Sequence, residues 1–351
     1  MTYKVLVIDD SRFARKTIAS IINKDPLFEV VGIATDGQDA LNKLKVITPD
    51  IITLDLEMPI MDGITALPEI VKKCQVPILI VSSLSKEGAD ITINALSLGA
   101  ADFITKPSGS ALEVPVIEKE LMKKLKALVN LKTKGDISDK FCFPRDIKIK
   151  KDYYPVIEHT SKIVLFGIST GGPSSLARII PKLSLNLDAT FLIVQHMPEH
   201  FTKSFAERLD SISELSVKEV EDGDVLRKGA ILIARGGSHL TLEQSKNGII
   251  ARLNNDDKMN GHKPSVDKMY FSAAKLNVPN KIISIIMTGM GSDGAEGTAA
   301  IHTKGGITIA QNEETCIVYG MPKAAVSKGV IDHVAALDDI PILLSKIIQE
   351  S

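Results

Sequence analysis

The sequence predicts an α/β protein with two domains, each organised around a mostly parallel β-sheet. Short apolar runs alternate with amphipathic stretches of helical periodicity along most of the chain. Parallel strands need crossover helices, so this alternation favours parallel sheets. The pattern fades once, near the middle of the chain. A length of 351 residues is enough for a separate hydrophobic core on either side of that interruption.

The first third of the chain contains five strand patterns that alternate with five helix patterns. The predicted strands are Tyr3–Ile8, Glu29–Ala34, Asp50–Leu56, Pro77–Ser82 and Asp102–Ile104. The predicted helices are Arg12–Asn23 with Ser11 as N-cap, Gln38–Ile47, Ile64–Lys73, Glu87–Leu98 and one near Ile117–Leu131. Repeated units of this kind indicate a doubly wound parallel sheet.

Residues 132–161 lack a clear period. A basic cluster, Pro144 and Pro155 interrupt the pattern there, as is typical of an interdomain linker. We therefore expect a first domain at 1–122, its terminal helix and a linker at 123–161, and a second domain at 162–351.

The second domain alternates strands and helices on a larger scale. Its predicted parallel strands are Ile163–Phe166, Ala189–Val194, Val217–Glu221, Ala230–Ala234, Ile282–Met287 and Ile307–Ala310. Its predicted helices cover 198–209, 265–275, a segment from Ala295, and 340–348. Two further strands flank Lys246-Asn247-Gly248, which signals an antiparallel hairpin. The pattern predicts a doubly wound, mostly parallel sheet with a small antiparallel hairpin.

Composition excludes several classes of partner. Lys and Arg number 42 against 43 Asp and Glu, a net charge of −1, so nothing favours nucleic acid or an anionic membrane. The three cysteines (Cys74, Cys142 and Cys316) are far apart, which suits reduced thiols. The N-terminus has the pattern of a strand rather than a signal peptide, and no apolar run is long enough to span a bilayer. We expect a cytoplasmic protein.

Polar residues follow the predicted strands of the first domain. Asp9 and Asp10 end the first strand, Asp55 the third, Ser82 the fourth and Lys106 the fifth. The carboxyl ends of parallel strands share one sheet edge, where chemistry collects. Oxygen ligands of this kind suit Mg²⁺. A capping role would explain any one of these residues, but does not explain why they coincide at all four strand ends.

Residues 1–122 resemble the receiver domain of bacterial response regulators. The matching motifs are Asp9-Asp10, Leu54-Asp55-Leu56-Glu57-Met58-Pro59, Met61-Asp62-Gly63 and Thr105-Lys106-Pro107. The resemblance implies a flavodoxin-like (βα)5 fold and transfer of a phosphoryl group from a histidine kinase to Asp55. It also implies Mg²⁺ bound by Asp9, Asp10 and Asp55, and contact between Lys106 and the phosphoryl oxygens. A hydroxyl completes the implied switch; Ser82 is the first candidate and Ser83 its competitor.

The stretch Lys162–Ser175 places Ser169 at a sharp turn between a buried strand and a helix. Gly167 and Gly171 flank the serine at the spacing of a nucleophile elbow. A glycine-rich turn of this kind also occurs as a plain turn or as a phosphate cradle. The phosphate interpretation is weakened because no Gly-Lys-Ser/Thr follows.

His196 and Asp293 also follow predicted strands of the second domain. Ser169, His196 and Asp293 therefore converge on one edge, as a Ser-His-Asp triad requires. The α/β-hydrolase order places the histidine after the aspartate, which leaves His302 and His333 as rivals.

Other histidines have different expected places. His262, in His262-Lys263-Pro264-Ser265-Val266-Asp267, is a candidate on the substrate side of the site. We expect His200 and His239 at the surface, and His159 lies in the linker.

Residues from about Lys162 to Ile348 resemble the catalytic domain of chemotaxis protein-glutamate methylesterases. The matching segments are Gly167-Ile168-Ser169-Thr170-Gly171-Gly172, Gln195-His196-Met197-Pro198, His262–Asp267 and Met287–Gly294. The resemblance implies Ser169 as nucleophile, His196 as base, Asp293 as its orienter and Met290 in the oxyanion hole, with no cofactor for the esterase.

The resemblance also implies a function. The expected activity is demethylation of glutamyl methyl esters, and deamidation of some glutamines, on the cytoplasmic domains of chemoreceptors, with a chemotaxis histidine kinase as phosphodonor. The alternative is a response regulator whose second domain only binds a partner.

Overall fold

The computed structural model describes residues 2–106, 114–132, 160–246, 248–278 and 281–350. Contacts divide the chain into two compact units, Met1–Phe143 and Pro144–Ser351. Most of the predicted linker, with Cys142 and His159, lies outside the described residues, as do Pro107 and Asn247. No helix within the described ranges is both long and apolar enough to cross a membrane.

The first unit is a parallel sheet with helices between its strands. The strands are β1 (Tyr3–Ile8), β2 (Phe28–Ala34), β3 (Ile51–Asp55), β4 (Ile78–Ser82) and β5 (Asp102–Thr105). The helices are α1 (Arg12–Asn23), α2 (Gly37–Lys43), α3 (Gly63–Lys73), α4 (Lys86–Ser97) and α5 (Val114–Lys132). The strand order is β2-β1-β3-β4-β5 with every pair parallel, which is the order of the flavodoxin-like fold that the resemblance to receiver domains implies.

Local signals set most helix boundaries in this unit. The Ser11 hydroxyl accepts a hydrogen bond from Ala14 N at 3.3 Å, so α1 begins where its predicted N-cap places it. The expected end of α2 at Ile47 is wrong. This helix ends at Lys43, and the amides of Lys45 and Val46 bond three residues back, which is turn geometry rather than α-helix.

The second unit is a seven-stranded sheet with helices between its strands, and a separate hairpin. The sheet strands are β6 (Lys162–Ile168), β7 (Ala189–Gln195), β8 (Ser216–Glu219), β9 (Ala230–Ile233), β12 (Ile282–Ile286), β13 (Ile307–Gln311) and β14 (His333–Ala335). The hairpin strands are β10 (His239–Ser245) and β11 (Gly248–Asn254). The helices are α6 (Gly172–Ile179), α7 (Phe201–Asp210), α8 (Val266–Ala274), α9 (Ala295–Thr303), α10 (Met321–Val326) and α11 (Ile340–Glu350).

The order of the large sheet is β14-β13-β12-β6-β7-β9-β8, and all of its pairs are parallel. The predicted fold class is therefore confirmed in both units. The chain leaves the central strand β6 toward β7 on one side and later returns to β12 on the other. Ligands of doubly wound sheets bind at such a switch point, beyond the carboxyl ends of the strands. The fold places the ends of β6, β7 and β12 side by side at this point.

One predicted boundary in this unit differs from the structure, and two elements were not predicted. Helix α7 begins at Phe201 rather than Pro198, because His200 has φ 75°, a left-handed conformation that an α-helix does not accept. Strand β14 and helix α10 were not predicted. Strand β14 has three residues, of which two are exposed, so it lacks the apolar run that marks the other strands.

Candidate active site

The backbone around Ser169 is held from three sides. Ser169 N donates to Thr288 O at 3.0 Å, and Ser169 O accepts from Gly172 N at 2.8 Å and from the side-chain amide of Gln195 at 3.1 Å. Gly171, at φ 76°, makes the left-handed turn that opens α6. The Ser169 side chain is half-buried. The sharp turn expected after β6 is therefore present.

The loop after β12 packs directly on Ser169. A Cβ at Gly289 would lie 2.8 Å from the Ser169 Cβ, so only glycine allows this approach. The next residue, Met290, is half-buried. Among the described contacts, the N–H groups of Met290 and Thr170 have no acceptor. These two N–H groups, in the residue after the serine and in the loop beside it, are candidate donors for an oxyanion hole.

His196 and Asp293 are joined directly. The Nε2 atom of His196 lies 2.8 Å from Asp293 Oδ2, and both side chains are almost fully buried. A carboxylate can only accept, so Nε2 carries the proton and Nδ1 has the free lone pair. This Nδ1 is buried and has no hydrogen-bond partner in the structure. Nδ1 is therefore the His196 nitrogen that can accept a proton. The described contacts include no hydrogen bond between the Ser169 hydroxyl and His196.

The first turn of α8 and the segment before it hold the Asp293 carboxylate. It accepts hydrogen bonds from Val266 N at 2.7 Å, Asp267 N at 3.2 Å, the Ser265 hydroxyl at 2.8 Å and the Asn260 side-chain amide at 2.9 Å. Burial alone would raise the pKa of Asp293, but the bonds from His196, Asn260 and Val266 hold this pKa well below its usual range. Asp293 is therefore an ionised carboxylate that is held in place beside the imidazole.

The other histidines occupy different places. His262 stacks on His196, with ring centroids 3.8 Å apart and planes 6° apart. His302 lies 3.5 Å from Asp332, and His333 is exposed on β14, so neither bonds to Asp293. The expectation of a surface position for His239 is wrong. His239 is fully buried. Both ring nitrogens have hydrogen-bond partners, Ser265 N at 3.2 Å and Asp257 O at 3.0 Å, and these bonds offset the cost of burying the ring.

Sequence reasoning missed two residues of this site. Gln195 ends β7, and its buried amide donates to the carbonyls of both Ser169 and His196 at 3.1 Å, which ties the two loops together. Its signal was a polar residue at the end of an apolar strand. Asn260 bonds to Asp293, and its signal was the Asn260-Gly261 dipeptide, which marks a tight turn.

The first unit has its own polar cluster at the carboxyl ends of its strands. Asp9, Asp10 and Asp55 offer carboxylate oxygens that lie within 4.8 Å of one another. Lys106 donates a short hydrogen bond to Asp55, and its Nζ lies 3.5 Å from Asp9 Oδ2. Four of the predicted residues are thus brought together.

This cluster fits a divalent cation. Oxygen Oδ2 of Asp9 is buried and has no hydrogen-bond partner. Burial raises the pKa of Asp9 and raises that of Asp55 to about 6, although Lys106 opposes both shifts. A bound cation would stabilise the ionised form of these two buried carboxylates. An all-oxygen donor set suits Mg²⁺.

The two candidate switch hydroxyls have different contacts. Ser82 is buried at the end of β4, where its hydroxyl donates to Gly88 O at 3.3 Å and accepts from Thr92 Oγ1 at 2.6 Å. Ser83 is half-buried and donates to Glu57 Oε2 at 3.3 Å. Neither hydroxyl bonds to Asp55 in this structure, so either one would have to rotate to reach it.

Comparison with known proteins finds a different family model for each of the two units. The model of the CheB methylesterase family matches residues 164–344, and that of the response regulator receiver domain matches 5–114. The chain is 43% identical to a protein-glutamate methylesterase/protein-glutamine glutaminase of Halalkalibacterium halodurans, over 95% of each chain. It is 40% identical to the protein of the same name from Bacillus subtilis, over 99% of each.

The second unit also resembles a solved structure. The crystal structure of the Thermotoga maritima CheB methylesterase catalytic domain covers 55% of this chain and 100% of its own, with a TM-score of 0.52 and 44% sequence identity.

Proposed function

Because this chain belongs to the CheB methylesterase family and carries a response regulator receiver domain, we propose that Ser169, His196 and Asp293 are the triad of its chemotaxis esterase. The activity is that of a protein-glutamate methylesterase and protein-glutamine glutaminase, as in relatives that are 40–43% identical over nearly the whole chain. One observation supports the residue assignment most strongly. His196 is bonded to a fixed carboxylate, while its Nδ1 is buried and unpaired at the sheet edge that carries Ser169.

The triad performs acyl transfer in two steps. In the first, the Ser169 oxygen attacks the glutamyl ester carbonyl while His196 Nδ1 takes the hydroxyl proton. Asp293 stabilises the imidazolium that forms. The amides of Met290 and Thr170 stabilise the oxyanion of the tetrahedral intermediate.

Collapse of that intermediate returns the proton to the leaving oxygen. Methanol departs and leaves a glutamyl ester on Ser169. In the second step a water molecule, deprotonated by His196, cleaves this ester to glutamate and free serine. A glutamine side chain follows the same route with ammonia as the leaving group. The esterase requires no cofactor for either reaction.

The receiver controls this chemistry. In our proposal a chemotaxis histidine kinase supplies the phosphoryl group, Asp55 accepts it, and Asp9, Asp10 and Asp55 would hold Mg²⁺. An ion bound there would neutralise charge during in-line transfer. Lys106 binds the phosphoryl oxygens, and Ser82 rotates toward them, with Ser83 as the competitor.

The location and partners follow from the same assignment. The substrates are the cytoplasmic domains of methyl-accepting chemoreceptors, so we place the protein in the cytoplasm, without membrane insertion or a nucleic-acid partner. The receiver spans 1–122, the terminal helix and linker 123–161, and the catalytic domain 162–351.

Methanol release tests this proposal. Receptor with radiolabelled methyl esters is incubated with the full-length protein, with and without a small-molecule phosphodonor. We expect release in both cases and faster release with the donor. A protein that binds the receptor but releases no methanol in either case would instead be a response regulator with a non-catalytic output domain.

A further inference from the structure

A two-residue turn lies beside the triad. Met259 N donates to His262 O at 3.1 Å, and His262 N donates to Met259 O at 2.9 Å. The two residues between them are both left-handed, with φ 54° at Asn260 and 79° at Gly261. This is the conformation of a type I′ turn, for which Asn-Gly is the preferred pair. The turn therefore forms for local reasons, and its position relative to the triad is set by α8, which begins four residues after it.

The turn presents two side chains to two different members of the triad. The Asn260 amide nitrogen donates to Asp293 Oδ1 at 2.9 Å and to Asp267 Oδ2 at 2.7 Å. The His262 ring lies flat against the ring of His196, at 3.8 Å between centroids. One short segment thus touches both the base and its orienter.

Asn260 has a specific electrostatic task. Asp267 and Asp293 are both buried at 2% exposure, and one nitrogen bridges them. Two carboxylates this close repel each other unless donors separate them. Asp267 Oδ1 also accepts a hydrogen bond from Gly297 N at 2.7 Å, so the bond from the Asn260 amide gives the other oxygen, Oδ2, a donor as well. Without Asn260, we expect the Asp293 carboxylate to shift away from Asp267 and from its bond with His196.

His262 restrains the other partner. The bond to Asp293 fixes one edge of the His196 ring but leaves the ring free to rotate about that bond. A parallel ring at van der Waals distance removes this freedom, because any tilt of His196 would collide with it. The stack therefore fixes the direction in which the unpaired Nδ1 points.

We propose that the Met259–His262 turn is a clamp in which Asn260 and His262 are positioning residues for the triad. The inference rests on the proposed function, because it assigns His196 and Asp293 their roles. Neither residue of the clamp reacts; Asn260 acts through Asp293 and His262 through His196. Misplacement of a catalytic group by about 1 Å costs up to about 100-fold in rate. Loss of either side chain should therefore lower kcat and leave KM nearly unchanged.

Paired variants of the full-length protein separate positioning from folding. Asn260→Gly keeps the left-handed turn and removes the bridging amide, while Asn260→Asp keeps the shape and adds a third carboxylate. We expect kcat for methanol release to fall about 10- to 100-fold in Asn260→Gly, and further in Asn260→Asp. His262→Ala should fall similarly, whereas His262→Phe should recover most of kcat because it restores a flat ring.

Control variants remove similar side chains elsewhere. Asn186→Gly and His333→Ala change exposed residues and should retain the wild-type kcat. In an Asp293→Asn background, adding Asn260→Gly should cost less than about 2-fold, because the group that Asn260 positions is already gone. Unchanged melting temperatures would show that lost activity does not reflect lost folding.

The outcomes distinguish this inference from the function on which it rests. If Ser169→Ala is inactive but Asn260→Gly and His262→Ala keep the wild-type kcat, the clamp is wrong and the triad stands. A rise in KM at constant kcat would make these residues substrate contacts and would also overturn the clamp. Wild-type methanol release by Ser169→Ala would overturn both.

Discussion

At the scale of single residues, the chemistry depends on how the two nitrogens of His196 are used. Nε2 is bonded to a carboxylate that four other donors hold in place, and Nδ1 is buried without a partner. The imidazole is thus fixed in one tautomer with its free lone pair inside the site. In the proposed triad, His196 and Asp293 therefore act as a pair, and only together would they activate Ser169.

Because His196 and Asp293 act as a pair, we expect the effects of mutating them to be non-additive. His196→Gln and Asp293→Asn should each lower kcat by several orders of magnitude, and the double variant should be little worse than the poorer single one. Single-turnover methanol release from methylated receptor measures both. If His302→Gln or His333→Gln is inactive while His196→Gln is active, the base follows the α/β-hydrolase order and our assignment is wrong.

The lowered pKa of Asp293 predicts a pH-dependent contribution to stability. A carboxyl group whose pKa is lower in the folded state stabilises the fold above its unfolded pKa, about 3.9. That contribution is lost as the pH falls toward the folded pKa. Asp293→Asn should therefore reduce the free energy of unfolding by about 1.5–3 kcal/mol at pH 7, the range for hydrogen bonds to a charged group.

Urea unfolding of wild type and Asp293→Asn at several pH values measures this difference. It should shrink as the pH is lowered from about 5 to 3. An equal difference at pH 7 and pH 3 would mean that the ionised carboxylate is not what stabilises the fold.

At the scale of elements, strand-end positions were predictable and contacts between distant segments were not. Ser169, His196 and Asp293 could be placed on one edge because parallel strands deliver their carboxyl ends there. The bond that selects His196 over His302 and His333 depends on the strand order β12-β6-β7, which the sequence does not state.

The residues that support the triad were less accessible to sequence reasoning. Asn260 and Gln195 act through hydrogen bonds between segments far apart in the chain, so the turn dipeptide and the strand end that mark their positions do not identify their partners. Short, half-exposed elements such as β14 lack the periodicity that marks buried strands, and were missed for that reason.

The packing of α8 against α9 predicts that replacing Gly297 of α9 with alanine destabilises the protein. A Cβ at Gly297 would lie 2.4 Å from the Tyr270 Cβ, and Tyr270 is fully buried with its hydroxyl bonded to Ile285 O at 2.8 Å. Alanine normally gains about 1 kcal/mol over glycine in a helix. Overpacking costs about 1–3 kcal/mol, so Gly297→Ala should be destabilised on balance. It should also lose kcat, because α8 holds Asp293.

Thermal unfolding and methanol release test this together. Ala299→Gly on the same helix should lose about 1 kcal/mol through helix propensity alone and keep its kcat. A Gly297→Ala protein that is more stable than wild type and fully active would show that α8 and α9 can separate without disturbing the site.

At the scale of the whole molecule, one chain carries two sites, each at the carboxyl edge of a parallel sheet. A phosphoryl site at Asp55 is useful only if its state changes the activity at Ser169. We propose the simplest form, in which the unphosphorylated receiver lowers the activity of the catalytic domain. Phosphorylation at Asp55 then relieves this inhibition by a population shift.

Two changes test this control in opposite directions. Asp55→Asn should keep basal methanol release that a phosphodonor cannot raise. Deletion of the residues before about Lys150 should raise activity without a donor, by about 5- to 150-fold for a typical coupling of about 1–3 kcal/mol. A truncated protein that is folded yet no faster than the unphosphorylated whole chain would exclude inhibition by the receiver, and the phosphorylated receiver would then have to activate the catalytic domain instead.

Methanol release by Ser169→Ala tests most directly whether Ser169 is the nucleophile. This variant removes the attacking oxygen and leaves the backbone bonds to Thr288 and Gln195 in place, so its circular dichroism and melting temperature should match wild type. We predict that it releases methanol from methylated receptor at least about 1,000-fold more slowly than wild type, with or without a phosphodonor. Near-normal release by a folded Ser169→Ala protein would contradict the central claim that Ser169 is the nucleophile of this esterase.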